Sequence, residues 1–176
     1  MTGNLPEPWL RGPLPGIPFL LQPAAHAFVM AREDVTAAVT GLSSDALWLD
    51  PGGIASVGFH LAHLAGSTDR LLTYARGEAL SEAQREALAR ERTLSSARPS
   101  LEQLLEAWQG VVAGALEQLS STSDLDLSQA RAVGRARLPS TVLGLLFHAA
   151  EHASRHTGQI VTTSKLVRGL GSVRHG

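Results

Sequence analysis

Leu101, Leu104, Leu105, Trp108, Val111, Val112, Leu116 and Leu119 return every three or four residues, a spacing that lines one face of an α-helix and suits no strand. Helical spacing recurs in three other stretches, and this recurrence is what most limits the folds open to the chain. From Pro23 to about Leu42 it is carried by Phe28, Val35, Val39 and Leu42, and Gly41, Ser43 and Ser44 end the run. Pro51, Gly52 and Gly53 then break the chain. A second helix is expected from Ile54 to Arg76, free of proline up to Gly77, which sits where a C-terminal cap belongs. The Leu101 stripe is the third helix, opened by Ser100 and Gln103, a capping box that follows Pro99. The fourth is expected from about Ser140 to Arg168, with Pro139 at a first-turn position and Gly169 closing it. Four such helices with no strong strand signal predict an all-α chain folded as a four-helix bundle.

The remaining segments fit around that core. Ser81 and Gln84 form another capping box, which predicts a short, polar surface helix to about Arg92. Residues 120–138 are rich in Ser, Asp, Gly and Arg and read as a long connection with a small hairpin near Val133 and Gly134. Five prolines (Pro6, Pro8, Pro13, Pro15 and Pro18) lie within residues 1–21 and deny that segment both helix continuity and ladder donors. Its Trp9, Leu10, Ile17 and Phe19 are too apolar for a free tail, so an extended arm lying on the bundle or on a partner subunit is expected. A length of 176 residues suits a single domain over 1–176, with the arm at 1–21, the bundle at 22–168 and a tail at 169–176. Trp9, Trp48 and Trp108 are read as packing residues.

Charge and composition remove several functions. Fifteen Lys+Arg against sixteen Asp+Glu leave a net charge of −1, so no overall field gathers nucleic acid or anionic lipid. There is no cysteine, which excludes disulfides, thiolate ligands and a cysteine nucleophile; any bound metal must take nitrogen and oxygen. The first residues lack a basic n-region, and prolines interrupt the apolar stretch around Phe19, Leu20 and Leu21, so neither a signal peptide nor a membrane span is read and the cytoplasm is the expected compartment.

The histidines are the anomaly. Five of seven fall in FHLAH (59–63) and HAAEHASRH (148–156). His152 and His156 are four apart, one helical turn, a geometry in which two imidazoles can grip one ion. His148 extends the row by a turn, and Leu145, Ala149, Ile160 and Thr163 on the same side aim it inward. His63 shares a stripe with Ser67, Arg70 and Tyr74, and His60 could flank or replace it. A lone histidine on an apolar helix face is ordinarily a hydrogen-bonded core residue. Several inward imidazoles on two helices pose a harder problem, because buried cations are disfavoured, and a metal ion resolves it. His26 and His175 stand apart and are given no role. Asp69 and Arg70 read as ion-pair residues, Tyr74 as packing, and Arg131, Arg135 and Arg137 as a solvated loop or an anion-binding lip.

The stretches GFHLAHLAGSTDRLLTYARGE (58–78) and LPSTVLGLLFHAAEHASRHTGQIVTTSKLVR (138–168) resemble the DinB-like (DinB/YfiT) superfamily, most distinctively in His152, His156, Gly158 and Gln159. The resemblance implies a four-helix bundle with a long crossover, a homodimer, and a three-histidine site for one divalent ion such as nickel, zinc, manganese or iron. By position the ligands fall on His63, shortly before an Arg-Leu-Leu run, and on His152 and His156; His60 and His148 are neighbours or substitutes. Three imidazoles leave positions open, the layout of a catalytic site. The family includes transferases that use low-molecular-weight thiols, so a metal-dependent thiol transferase acting on an electrophile is the first reading and a hydrolase the second. Glu151, His60 and His148 are the acid–base candidates, with no catalytic residue assigned. The alternative is a non-enzymatic stress-response or metal-binding bundle in which the metal is structural.

Overall fold

The computed structural model describes residues 6–173; the first five residues of the arm, the end of the expected tail and His175 lie outside them. Helix α1 (Gln22–Val39) carries Pro23 in its first turn, where a missing N–H leaves no bond unmade, and ends before Gly41, whose φ of +74° suits glycine. A one-turn helix, α2 (Ser44–Leu47), follows, and the Ser43 hydroxyl accepts the Ala46 N–H at its start. Helix α3 (Val57–Ala75) opens on Ser56, whose hydroxyl accepts the Phe59 N–H, and ends before Gly77 at φ +80°. Both expected capping boxes are present, at Ser81/Gln84 for α4 (Glu82–Arg90) and at Ser100/Gln103 for α6 (Leu101–Ser121). A 3-10 turn (Glu91–Thr93) and α5 (Leu94–Ala97) lie between them. Strands β1 (Ala130–Val133) and β2 (Leu138–Thr141) pair antiparallel with Ala132 opposite Pro139, and α7 (Val142–Val173) completes the order.

Helices α1 and α3 each pack against both α6 and α7. Helix α1 therefore stands diagonally from α3 and α6 from α7, and residues 40–56 and 122–141 make the crossings. The stripes read from the sequence supply much of the core: Phe28, Val35, Val39, Trp108, Val112, Leu119 and Ile160 are fully enclosed, while Leu101, Leu105, Val111 and Leu116 are half-buried at its edge. Truncating Trp108 there would cost about 3–5 kcal/mol. No helix among the described residues is long and apolar enough to cross a membrane.

Three local expectations are corrected. Pro139 does not open the last helix; it lies in β2, where a two-stranded ribbon leaves alternate N–H groups unpaired and a missing donor is tolerated. Thr141 takes its place, accepting the Gly144 N–H at 3.0 Å. Nor does α7 stop at Gly169. It continues to Val173, and the Arg168 guanidinium ties it to the Ala38 carbonyl of α1 and the Thr40 carbonyl just after it at 3.0 and 2.7 Å, bonds that offset the roughly 1 kcal/mol a helical glycine costs. Trp9 is not a packing residue: 58% of it is exposed and its Nε1 donates to Glu7. The arm is held on α1 instead by Arg11 paired with Glu33 at 2.6 Å, by Gln22 bonded to Leu14 and Ile17, and by the His26 ring on the Gly12 carbonyl.

Candidate metal centre

The faces of α3 and α7 that meet carry the two histidine clusters. One nitrogen from each of His63, His152 and His156 can be chosen so that all three lie within 4.8 Å of one another. The ring centroids stand 4.4 Å apart for His152 and His156, 4.8 Å for His63 and His156, and 5.6 Å for His63 and His152. Leu145, Ala149, Ile160 and Thr163 are all buried; packing of their face against the bundle turns the α7 imidazoles toward α3. His60 is buried beside this group, its ring 5.6 Å from that of His156, but is not one of the three that converge. His148 sits at the rim, half exposed, with its ring 5.8 Å from His152 and its Nδ1 3.4 Å from Glu151.

Two of the three rings are held from behind. Glu91, from the turn after α4, places Oε2 2.9 Å from His63 Nδ1, while its Oε1 accepts from Arg70 Nη1 at 2.7 Å. The Glu91 and Arg70 side chains are only 14% and 11% exposed. With Nδ1 donating to the carboxylate, His63 keeps Nε2 as a lone pair directed at the other rings; carboxylates support metal-ligating histidines in this way. Gly66 makes room for the arrangement, because a Cβ there would lie 2.9 Å from Arg70 Nη1 and 3.1 Å from Glu91 Oε1. Phe59, one turn before His63, stacks parallel to its ring at 5.9 Å. Ser67, one turn after, donates to the Leu64 carbonyl and can accept from His152 Nδ1 at 3.4 Å, a weak contact that favours the same tautomer.

The electrostatics suit a cation. Burial, and then the charges of His152, His63 and His60, lower the His156 pKa from 6.5 to about 4. Burial and neighbouring histidines likewise lower His152 and His60. These imidazoles are therefore neutral donors at pH 7. Burial pulls the Glu91 carboxyl upward, but the hydrogen bonds from His63 and Arg70 together hold it below the usual carboxylate range. His156 Nδ1 is buried and has no hydrogen-bond partner, a costly state for an isolated polar atom. A pair of supported imidazoles, a third with an orphaned nitrogen, and an all-nitrogen donor set fit a divalent transition metal.

Glu91 is the site residue that sequence reasoning missed. It belongs to the segment read as a polar surface helix, 28 residues from His63, and its sole forewarning was Arg70, read as an ion-pair residue with no partner named. Asp69 and Thr73 fasten α4 in place, each accepting from Gln84 Nε2 at 2.7 Å. Glu151 is engaged by Arg155, whose Nη2 lies 2.5 Å from Oε2, and it stays ionised. Beside Phe59 and Glu91 a cavity of about 1150 Å³ opens between the end of α3, helix α4 and the β-hairpin.

A model of the DinB superfamily matches residues 27–160. The fold is also similar to the crystal structure of a conserved protein from Enterococcus faecalis, with a TM-score of 0.70 at 18% identity over 85% of this chain and 97% of that one. No curated protein matches.

Proposed function

The chain belongs to the DinB superfamily, and from that premise we propose that His63, His152 and His156 hold one divalent ion (nickel, zinc, manganese or iron) in a metal-dependent transferase for a low-molecular-weight thiol. The observation that carries this reading is the convergence of three nitrogens within 4.8 Å. A structural site is ordinarily closed by a fourth protein ligand; among the described residues no further His, Asp or Glu joins the group, which favours a site with room for a reactant.

A divalent ion held by His63, His152 and His156 would supply Lewis acidity toward a bound nucleophile. The chain's own residues do the rest. Glu91 fixes the His63 tautomer, Arg70 keeps Glu91 ionised and oriented, and Phe59 limits rotation of the His63 ring while covering it from water. Of the acid–base candidates, Glu151 is committed to Arg155 and His60 is buried. Half-exposed His148, at the rim beside His152, is the group placed to pass the thiol proton to solvent. The electrophile takes the sulfur and loses its leaving group in the neighbouring cavity. Hydrolysis would use the same apparatus with water as nucleophile.

Protein loaded with each metal in turn, and protein stripped on a chelating resin, should be assayed with several cellular thiols and an alkylating electrophile. Metal-dependent thiol consumption that disappears in His63→Ala while the circular dichroism is unchanged supports the proposal. If His63→Ala merely lowers the melting temperature and no metal form turns over, the ion serves structure, as in a stress-response or metal-binding bundle. The proposed assembly is a cytoplasmic homodimer, for which light scattering should give twice the 18.6 kDa chain mass.

A further inference from the structure

The cavity beside the histidine group is walled by arginines. Arg85 and Arg92 enter from α4 and the turn after it, and Arg131, Arg135 and Arg137 from the hairpin. Its two acidic residues are already engaged, Glu78 with Arg76 at 2.8 Å and Glu91 with Arg70 and His63. Among the described residues none of the five arginines forms an ion pair. Arg85 donates to the Leu80 carbonyl, and Arg131 to the Ala75 and Ala130 carbonyls and the Gln129 amide oxygen. Arg92, Arg135 and Arg137 make no side-chain hydrogen bond to any described residue. Five uncompensated guanidiniums around one concavity are unusual in a chain whose net charge is −1, because like charges that merely serve solubility gain by spreading apart. The tip of the hairpin adds to this. Arg137 holds φ +49°, a left-handed conformation that glycine or asparagine adopts more cheaply. Between the cations lie apolar and aromatic surfaces, Phe59, Tyr74 and Leu88.

We infer that this cavity binds a small organic anion with two or more acidic groups on a compact body, its charges met by Arg92, Arg135 and Arg137. Guanidinium matches carboxylate and phosphate alike through paired N–H donors, so both belong to the class. Phe59 and Glu91 line the cavity and also touch His63, which places the anion's body next to the histidine group. As the electrophile's seat the cavity rests on the metal-centre reading; as an anion site it stands on the arginines alone.

The test is calorimetric titration at low salt, about 50 mM, of protein stripped on a chelating resin. Citrate and pyrophosphate are the two probes, which separates carboxylate from phosphate preference, and glycerol is the neutral control. Saturable binding of at least one anion is expected, weakened about tenfold or more in R135Q/R137Q. The same affinity should persist in R90Q/K165Q, an equal change of charge outside the cavity, and in H152A/H156A. Exposed arginine variants should keep the wild-type melting temperature. The inference is overturned if neither anion binds saturably, if R90Q/K165Q weakens binding as much as R135Q/R137Q, or if the loss follows H152A/H156A in its folded form or, should that variant not fold, His63→Ala. Anion binding by a chain that takes up no metal would sink the proposed function and leave the anion site standing.

Discussion

Glu91→Ala separates two roles of one carboxylate. In the absence of metal, the substitution removes the 2.7 Å bond to Arg70 and the 2.9 Å bond to His63, and leaves a guanidinium only 11% exposed without its counter-ion. Breaking a fully buried pair costs about 3–5 kcal/mol. This one keeps some contact with water at both ends, so a smaller loss, about 2–3 kcal/mol, is expected in urea unfolding of stripped protein. Metal affinity is a separate quantity, because His63 remains in place but loses the acceptor that sets its tautomer. Competition against a chromogenic zinc chelator should show about ten- to a hundredfold weaker binding. Glu91→Gln keeps an oxygen for His63 but no charge for Arg70, so it should retain more affinity than stability. Wild-type unfolding midpoint and wild-type zinc affinity in Glu91→Ala would refute the argument that the α4 turn supports the histidine group.

Acid should destabilise the stripped protein. His60, His152 and His156 are depressed in the fold, His156 from 6.5 to about 4, so the unfolded chain binds protons first and stability, full above about pH 6.5, drains as pH falls through 4. Glu91, also lowered, acts in the same direction; a melting temperature that rises between pH 7 and 4.5 would contradict this. Gly58→Ala should lose about 1–3 kcal/mol in urea unfolding, because its Cβ would stand 2.8 Å from the enclosed Trp48 indole; no loss would mean that the ring can yield. Gln84→Ala removes the bonds to Asp69 and Thr73, and hydrogen exchange should quicken in α4 and around Glu91 while α6 stays protected.

The helices were legible because their information is local. Apolar period, two capping boxes and Gly77 each sit within a turn or two of the boundary they set, and all hold in the structure. Boundaries failed where a distant contact decided: Gly169 is carried through by Arg168 reaching α1, and Pro139 is absorbed by pairing with β1. The histidine group was legible in outline, since spacing aligned His152 with His156 and the family resemblance chose His63 over His60. Glu91 left no periodic trace, because a single carboxylate on a polar helix looks the same whether it faces water or an imidazole 28 residues away. Likewise the arginines at 131, 135 and 137 read equally as a solvated loop or an anion-binding lip, because nothing in the sequence shows that the fold sets Arg85 and Arg92 across from them.

The three-histidine metal centre is tested most directly by anomalous scattering from crystals of protein purified without added metal, with elemental analysis of the same sample. One divalent transition ion per chain is expected, with a nitrogen of His63, His152 and His156 each about 2.0–2.2 Å from the anomalous peak. An ion liganded by other residues, or a folded chain that takes up no ion when offered zinc, nickel, manganese or iron, would contradict it.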